Sequence, residues 1–83
     1  MYKVAFTQRA LKDWENVDKD MQIRIAKKLK EYAKDPLLYA VKLTNPNIGT
    51  YRFRIGNYRI IFDIEDNNIV ILRVGLRRSV YKR

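Results

Sequence analysis

Residues 51–64, YRFRIGNYRIIFDI, constrain the fold more tightly than any other part of the chain. Apolar and charged residues alternate up to and away from Gly56-Asn57, a pair suited to the positive-φ turn that joins two antiparallel strands. A two-residue turn pairs Ile55 with Tyr58, Arg54 with Arg59 and Phe53 with Ile60. Successive side chains point to opposite faces of a sheet. Tyr51, Phe53, Ile55, Tyr58, Ile60, Phe62 and Ile64 therefore share a core face, and Arg52, Arg54 and Arg59 share the other. A slip of one residue would drive arginines into the core, so this register is favoured.

The remaining elements follow from periodicity. YKVAF at 2–6 alternates with Tyr2, Val4 and Phe6 on one face and reads as a first strand. Thr7 is placed to cap the helix that follows, where Ala10, Leu11, Trp14 and Val17 form an apolar stripe. Asp18 or Asp20 caps a second, longer helix with a stripe of Met21, Ile25, Leu29 and Tyr32. Asp35-Pro36 ends that helix, because a residue before proline is pushed out of the helical region. Residues 37–49 predict a turn of helix and then a loop around Asn45-Pro46-Asn47. Strands are expected at about 51–55, 58–65 and 69–77. The whole is an α+β chain of order β-α-α-β-β-β, an antiparallel-rich sheet with an N-terminal helical hairpin on one face. With 83 residues and no linker-like or repetitive stretch, residues 1–83 read as one domain.

The second strand connection extends the pattern. A three-residue turn at Asp66-Asn67-Asn68 pairs Ile64 with Val70, Phe62 with Leu72, Ile60 with Val74 and Tyr58 with Leu76. Arg59 then meets Gly75 and Ile61 meets Arg73, with Arg77 beyond. The expected product is a concave face lined by Arg52, Arg54, Arg59, Arg73 and Arg77, with Gly75 leaving open space among them. Arg54 opposite Arg59 is a like-charge pair that costs some tenths of a kcal/mol, an order-of-magnitude figure. Asp63 and Glu65 lie toward the far end of this face, and one of them pairing with Arg73 or Arg52 is the simpler alternative. A bound phosphate backbone accounts better for the cluster.

Charge supports a polyanion partner. The chain carries a formal net charge of +9, from 18 basic and 9 acidic residues. Eight of the nine lysines precede position 51 and seven of the nine arginines follow it. Lysine is a hydrated point charge suited to a solvated helix face, whereas arginine presents a planar fork that grips phosphate oxygens in pairs. The first half therefore reads as solvated surface and the second as a binding site. Cysteine and histidine are absent, which excludes disulfides, thiolate nucleophiles and the commonest general base and metal ligand. No cofactor or metal is expected. No apolar run approaches membrane-spanning length and no leader precedes the first strand, so a cytoplasmic protein is expected.

Taken in order, FTQRALKDWENV at 6–17, Pro36 with Lys42-Leu43, YRFRIGNYRIIFDI and ILRVGLRRSVY at 71–81 resemble the RelE/ParE superfamily of bacterial and archaeal toxins, over nearly the whole chain. The resemblance implies a β-α-α-β-β-β sheet domain, and a toxin silenced by a cognate antitoxin that wraps it with a helix and extended segments. RelE-type members cleave mRNA, typically in the ribosomal A site. ParE members share the fold, inhibit DNA gyrase and usually lack the RNase constellation. YRxxF with GLRRSVY looks closer to the RelE side.

By that resemblance Arg59 contacts the scissile phosphate, Arg77 stabilises the phosphorane-like transition state, and Tyr81 stacks on a base or handles a proton. Arg52 and Arg54 occupy slots where one branch carries two lysines. Arginine stabilises charge but rarely gives up its proton, so Arg52 and Arg54 suit charge stabilisation and Tyr81 is left as the proton-handling group. Arg73, Arg78, Lys82 and Arg83 are the further residues expected to bind RNA. Leu76 stands where many members carry histidine, and the derived register puts it on the core face. Cleavage is therefore expected to depend on the ribosome to position substrate, without metal. The other readings are a non-enzymatic gyrase inhibitor, a plain nucleic-acid-binding module and a toxin relic. An acidic antitoxin that binds only the folded state would stabilise so small and charged a domain by mass action.

Overall fold

The computed structural model describes residues 1–44 and 47–80. In chain order these form β1 (Lys3–Phe6), α1 (Gln8–Glu15), α2 (Lys19–Tyr32), α3 (Pro36–Tyr39), β2 (Val41–Lys42), β3 (Tyr51–Ile55), β4 (Tyr58–Glu65), β5 (Asn68–Leu76) and α4 (Arg77–Val80). One five-stranded sheet runs in the order β1-β5-β4-β3-β2, antiparallel except for β1, which lies parallel to β5. The α+β reading holds: the turn of helix expected after Asp35 is α3, and β2 and α4 are added to it. The short β2 was hidden in residues 37–49, which carry no alternation long enough to betray a strand.

Local chemistry sets the helix starts. Thr7 Oγ1 accepts from Ala10 N at 3.2 Å and donates to the carbonyl of Ile71 at 3.0 Å, so one hydroxyl caps α1 and ties it to β5. Asp18, not Asp20, caps α2, its carboxylate accepting from Met21 N at 2.9 Å. Pro36 begins α3, where its missing N–H costs nothing.

The main core lies between α2 and one face of the sheet. Ile25, Leu29 and Ala33 pack on Phe53, Ile55, Ile60, Phe62, Ile69, Ile71 and Val74. The Phe53 and Phe62 rings stack with centroids 4.2 Å apart. Each of the larger side chains contributes about 1.5–3 kcal/mol on burial.

The β3–β4 hairpin has the register derived from the sequence, with Gly56 in the turn at φ 59°. The β4–β5 connection does not. Its turn is the two-residue Asp66-Asn67, with Asp66 at φ 55°, and a bulge opposite Ile61 and Phe62 absorbs the extra residue. From Ile61–Arg73 to Tyr58–Leu76 the expected pairs hold, whereas beyond the bulge Phe62 pairs with Ile71 and Ile64 with Ile69. Ile69 and Ile71 thus fill the core in place of Val70 and Leu72. A uniform register could satisfy only one half of β5, and the bulge lets both halves bury their isoleucines and valine.

The second face of the sheet is also covered. Ile61 is fully buried there, and Gly49, in the segment before β3, lies against it. A Cβ on Gly49 would stand 2.5 Å from Ile61 Cγ2 and 3.0 Å from Leu72 Cδ1.

Gly49→Ala is therefore expected to destabilise the protein by roughly 1–3 kcal/mol, read as a lower urea midpoint with unchanged slope; an unchanged midpoint would show that this segment is not packed as described. Thr7→Val, which keeps the shape and removes the hydroxyl, is expected to cost about 1–2 kcal/mol in the same experiment, with Thr7→Ser recovering most of the loss.

Candidate nucleic-acid interface

The second sheet face carries the arginines. Arg54 and Arg59 sit directly opposite one another, as do Arg52 and Ile61, and Ile61 and Arg73. Arg54 is exposed, Arg52 is half-buried, and Arg59 is enclosed at 4% exposure. The Nε atoms of Arg52 and Arg59 are both buried, and Arg59 Nη1 donates to the carbonyl of Tyr58 at 3.3 Å.

Enclosure of Arg59 has a definite cause. Gly75 was expected to leave open space beside it, but Val80 fills that space: a Cβ on Gly75 would meet Val80 Cβ at 3.6 Å. Strand β5 ends at Leu76, so Arg77 opens α4 and is not a strand residue. The turn of α4 carries the chain back over the sheet and seats Val80, 1% exposed, on Gly75. Arg77 and Arg78 remain exposed on that helix. Leu76 lies on the core side assigned to it, opposite Tyr58, but at the end of the sheet it is 47% exposed. Strand geometry gives way to helix immediately after it, and Met21 and Arg24 of α2 line an open cleft with its side chain.

Arg73 is drawn toward α1. Its Nε donates to Asp13 Oδ2 at 2.8 Å and its Nη2 to Asp13 Oδ1 at 3.5 Å, with both side chains mostly buried, 18% and 15% exposed. The same Oδ2 accepts from the backbone N of Val74 at 2.9 Å. Asp63, considered above as a partner for Arg73 or Arg52, instead accepts from Thr50 N at 2.8 Å and fixes the entry to β3. Asp13 was missed because it lies 60 residues from Arg73. A signal was present, however. Asp13 lies three residues after Ala10 and four before Val17, on the buried stripe of α1, where a carboxylate requires a partner.

The described residues thus bring Arg52, Arg54, Arg59 and Arg77 to one face and one end of the sheet. They place Arg78 on the exposed side of α4 and commit Arg73 to Asp13. Tyr81, Lys82 and Arg83 lie outside the described residues. Beside this face a polar cleft of about 240 Å³ is lined by Asp13, Asn16, Tyr58, Arg73, Gly75 and Ser79, among others. Among the described residues no helix is long and apolar enough to cross a membrane.

A sheet face with exposed Arg54, half-buried Arg52 and a helix-borne arginine at its end can bind an extended polyanion and stabilise charge developing on a phosphate. Known proteins share both the sequence and the shape. Residues 4–81 match the family described as ParE toxin of type II toxin–antitoxin system, parDE. A putative RelE-like toxin protein of Escherichia coli is 31% identical over 85 residues, covering 96% of this chain and 90% of that one. The mRNA interferase toxin RelE of Escherichia coli K12 is 28% identical with the same coverage. In the crystal structure of the toxin–antitoxin complex RelBE2 from Mycobacterium tuberculosis, the matching chain superposes with a TM-score of 0.81 at 29% identity, covering 92% of this chain and 98% of that one. The sheet order, the arginine face and these likenesses agree, and the chain belongs to the ParE toxin family within the RelE/ParE superfamily of type II toxin–antitoxin toxins.

Proposed function

We propose that this toxin is an endoribonuclease that cleaves mRNA in the ribosomal A site and so inhibits translation in the cytoplasm. The observation that carries the reading is the gathering of Arg52, Arg54 and Arg59 on one sheet face with Arg77 at the head of α4, one residue beyond the Tyr58–Leu76 pair. The relative named mRNA interferase toxin RelE supports the reaction class. RNA cleavage by the neighbouring 2′-hydroxyl requires removal of that proton, stabilisation of negative charge on the phosphorane oxygens, and a proton for the departing 5′-oxygen.

Arg54 and Arg77, both exposed, meet the phosphate oxygens; Arg52, half-buried, steadies the same charge. Arg59 contributes positive potential from beneath α4 and reaches the scissile phosphate only when Val80 lifts from Gly75. Preorganised cations of this kind stabilise charge more strongly than water does, because they need no reorientation as the charge forms. Arg78, Lys82 and Arg83 bind flanking phosphates, and Tyr81 handles the proton. Relatives crystallised as toxin–antitoxin complexes support a cognate antitoxin as the protein partner that silences this activity.

The family match, described as ParE toxin, favours a second reading in which the same basic face docks on DNA gyrase without chemistry. Induced expression separates the two. Primer extension on cellular mRNA is expected to show discrete cuts, reduced about 10²–10³-fold by Arg77→Ala and about 10²-fold or more by Tyr81→Phe. Cuts that persist in both variants would overturn the site assignment. Loss of plasmid supercoiling with intact mRNA would replace the nuclease reading with the gyrase one.

A further inference from the structure

The pairing of β5 with its outer neighbour is incomplete. β1 covers β5 only from Asn68 to Ile71, and Thr7 N extends the contact by donating to the Ile71 carbonyl at 3.0 Å. From the bulge onward the outer edge of β5 has no strand beside it among the described residues, and α1 runs there instead. An exposed edge N–H needs a substitute acceptor, and Asp13 supplies it to Val74 while gripping Arg73 with the same carboxylate. Gly75, Leu76 and then Arg77 follow directly, so Asp13 anchors the chain two residues before the end of the strand that presents α4.

Arg73 is two register steps from Arg59, since Ile61–Arg73 and Arg59–Gly75 flank Ile60–Val74. With its charge directed to the Asp13 carboxylate, it adds little to the potential of the open face. We infer that Asp13 is a positioning residue: it holds Arg73 away from the anion-binding face and fixes the end of β5 from which Arg77 is presented. The inference rests on the nuclease reading for its effect on cleavage, but not for the clamp itself.

Asp13→Asn keeps the shape and an acceptor for Val74 N while removing the charge that holds Arg73. Released, Arg73 adds a phosphate contact. The slope of log affinity against log salt for a single-stranded RNA is then expected to steepen by about 0.7. Cleavage of the same RNA on the ribosome is expected to fall at least tenfold, as the end of β5 keeps its Val74 contact but loses the charged grip on Arg73 that fixes it. A residue that merely supported the fold would weaken binding and cleavage together. Arg73→Met in the otherwise native chain is expected to leave the slope unchanged, and the double variant to return to it. Glu15→Gln, an exposed change on the same helix with the same effect on net charge, controls for long-range attraction.

A flatter slope in Arg73→Met would show that Arg73 already contacts RNA and would overturn the inference, even if Asp13→Asn failed to fold. So would an Asp13→Asn protein with native slope or native cleavage. Native protein that neither binds nor cuts RNA would remove the nuclease reading alone. Heparin elution then decides the clamp: Asp13→Asn eluting at higher salt than Glu15→Gln supports it, and co-elution of the two overturns it.

Discussion

β4 is buried on both faces, and the rest of the structure is arranged around that requirement. Ile60 and Phe62 are sealed by α2 on one side, while Ile61 and Arg59 point to the other. A half-polar antiparallel sheet can leave one face to water, but Ile61 forbids it here. Gly49 lies against Ile61, and Val80 of α4 lies against Gly75, the strand partner of Arg59. The elements that surround the arginine face therefore exist partly to shelter a single isoleucine.

Much of this was legible in the sequence. The YRFRIGNYRI alternation specified a hairpin register strongly, because the wrong register would bury charges. Thr7 and Asp35-Pro36 marked helix ends through chemistry that acts within a few residues. What escaped reading was set by longer-range geometry. The bulge at Leu72 exists because the two halves of β5 have conflicting apolar phases, and only the paired strand reveals where the conflict is resolved. The helix at Arg77 replaced an expected strand, and it seats Val80, 1% exposed, on Gly75, a contact between residues whose proximity no local pattern announced. Of the candidate site, the sheet arginines were readable by parity. The capture of Arg73 by Asp13 was not, although an acid on the apolar stripe of α1 gave a hint.

The charge distribution acquires a finer meaning in three dimensions. Arginines that look equivalent in the sequence have separate fates: Arg54 and Arg77 face solvent, Arg59 is enclosed, and Arg73 is matched by a carboxylate. Surface ion pairs contribute little, as with the exposed Lys28–Glu31 contact at 3.7 Å. The Asp13–Arg73 pair differs because it is largely buried and shares its acceptor with the backbone, so removing one partner strands the other.

The parallel pairing of β1 with β5 bears on how the chain is made. Lys3–Phe6 must wait for Asn68–Ile71 before any strand lies beside it, and Thr7 and Asp13 wait for Ile71, Arg73 and Val74. Contacts separated so widely in sequence form late, after the loop they close has been ordered. During synthesis the helices and the β3–β4 hairpin emerge first, with the N-terminal strand unpaired until the last quarter of the chain is free. A toxin built this way cannot complete its sheet on a partial chain, so a product truncated before β5 holds the hairpin arginines without β1's partner or the α4 that carries Arg77.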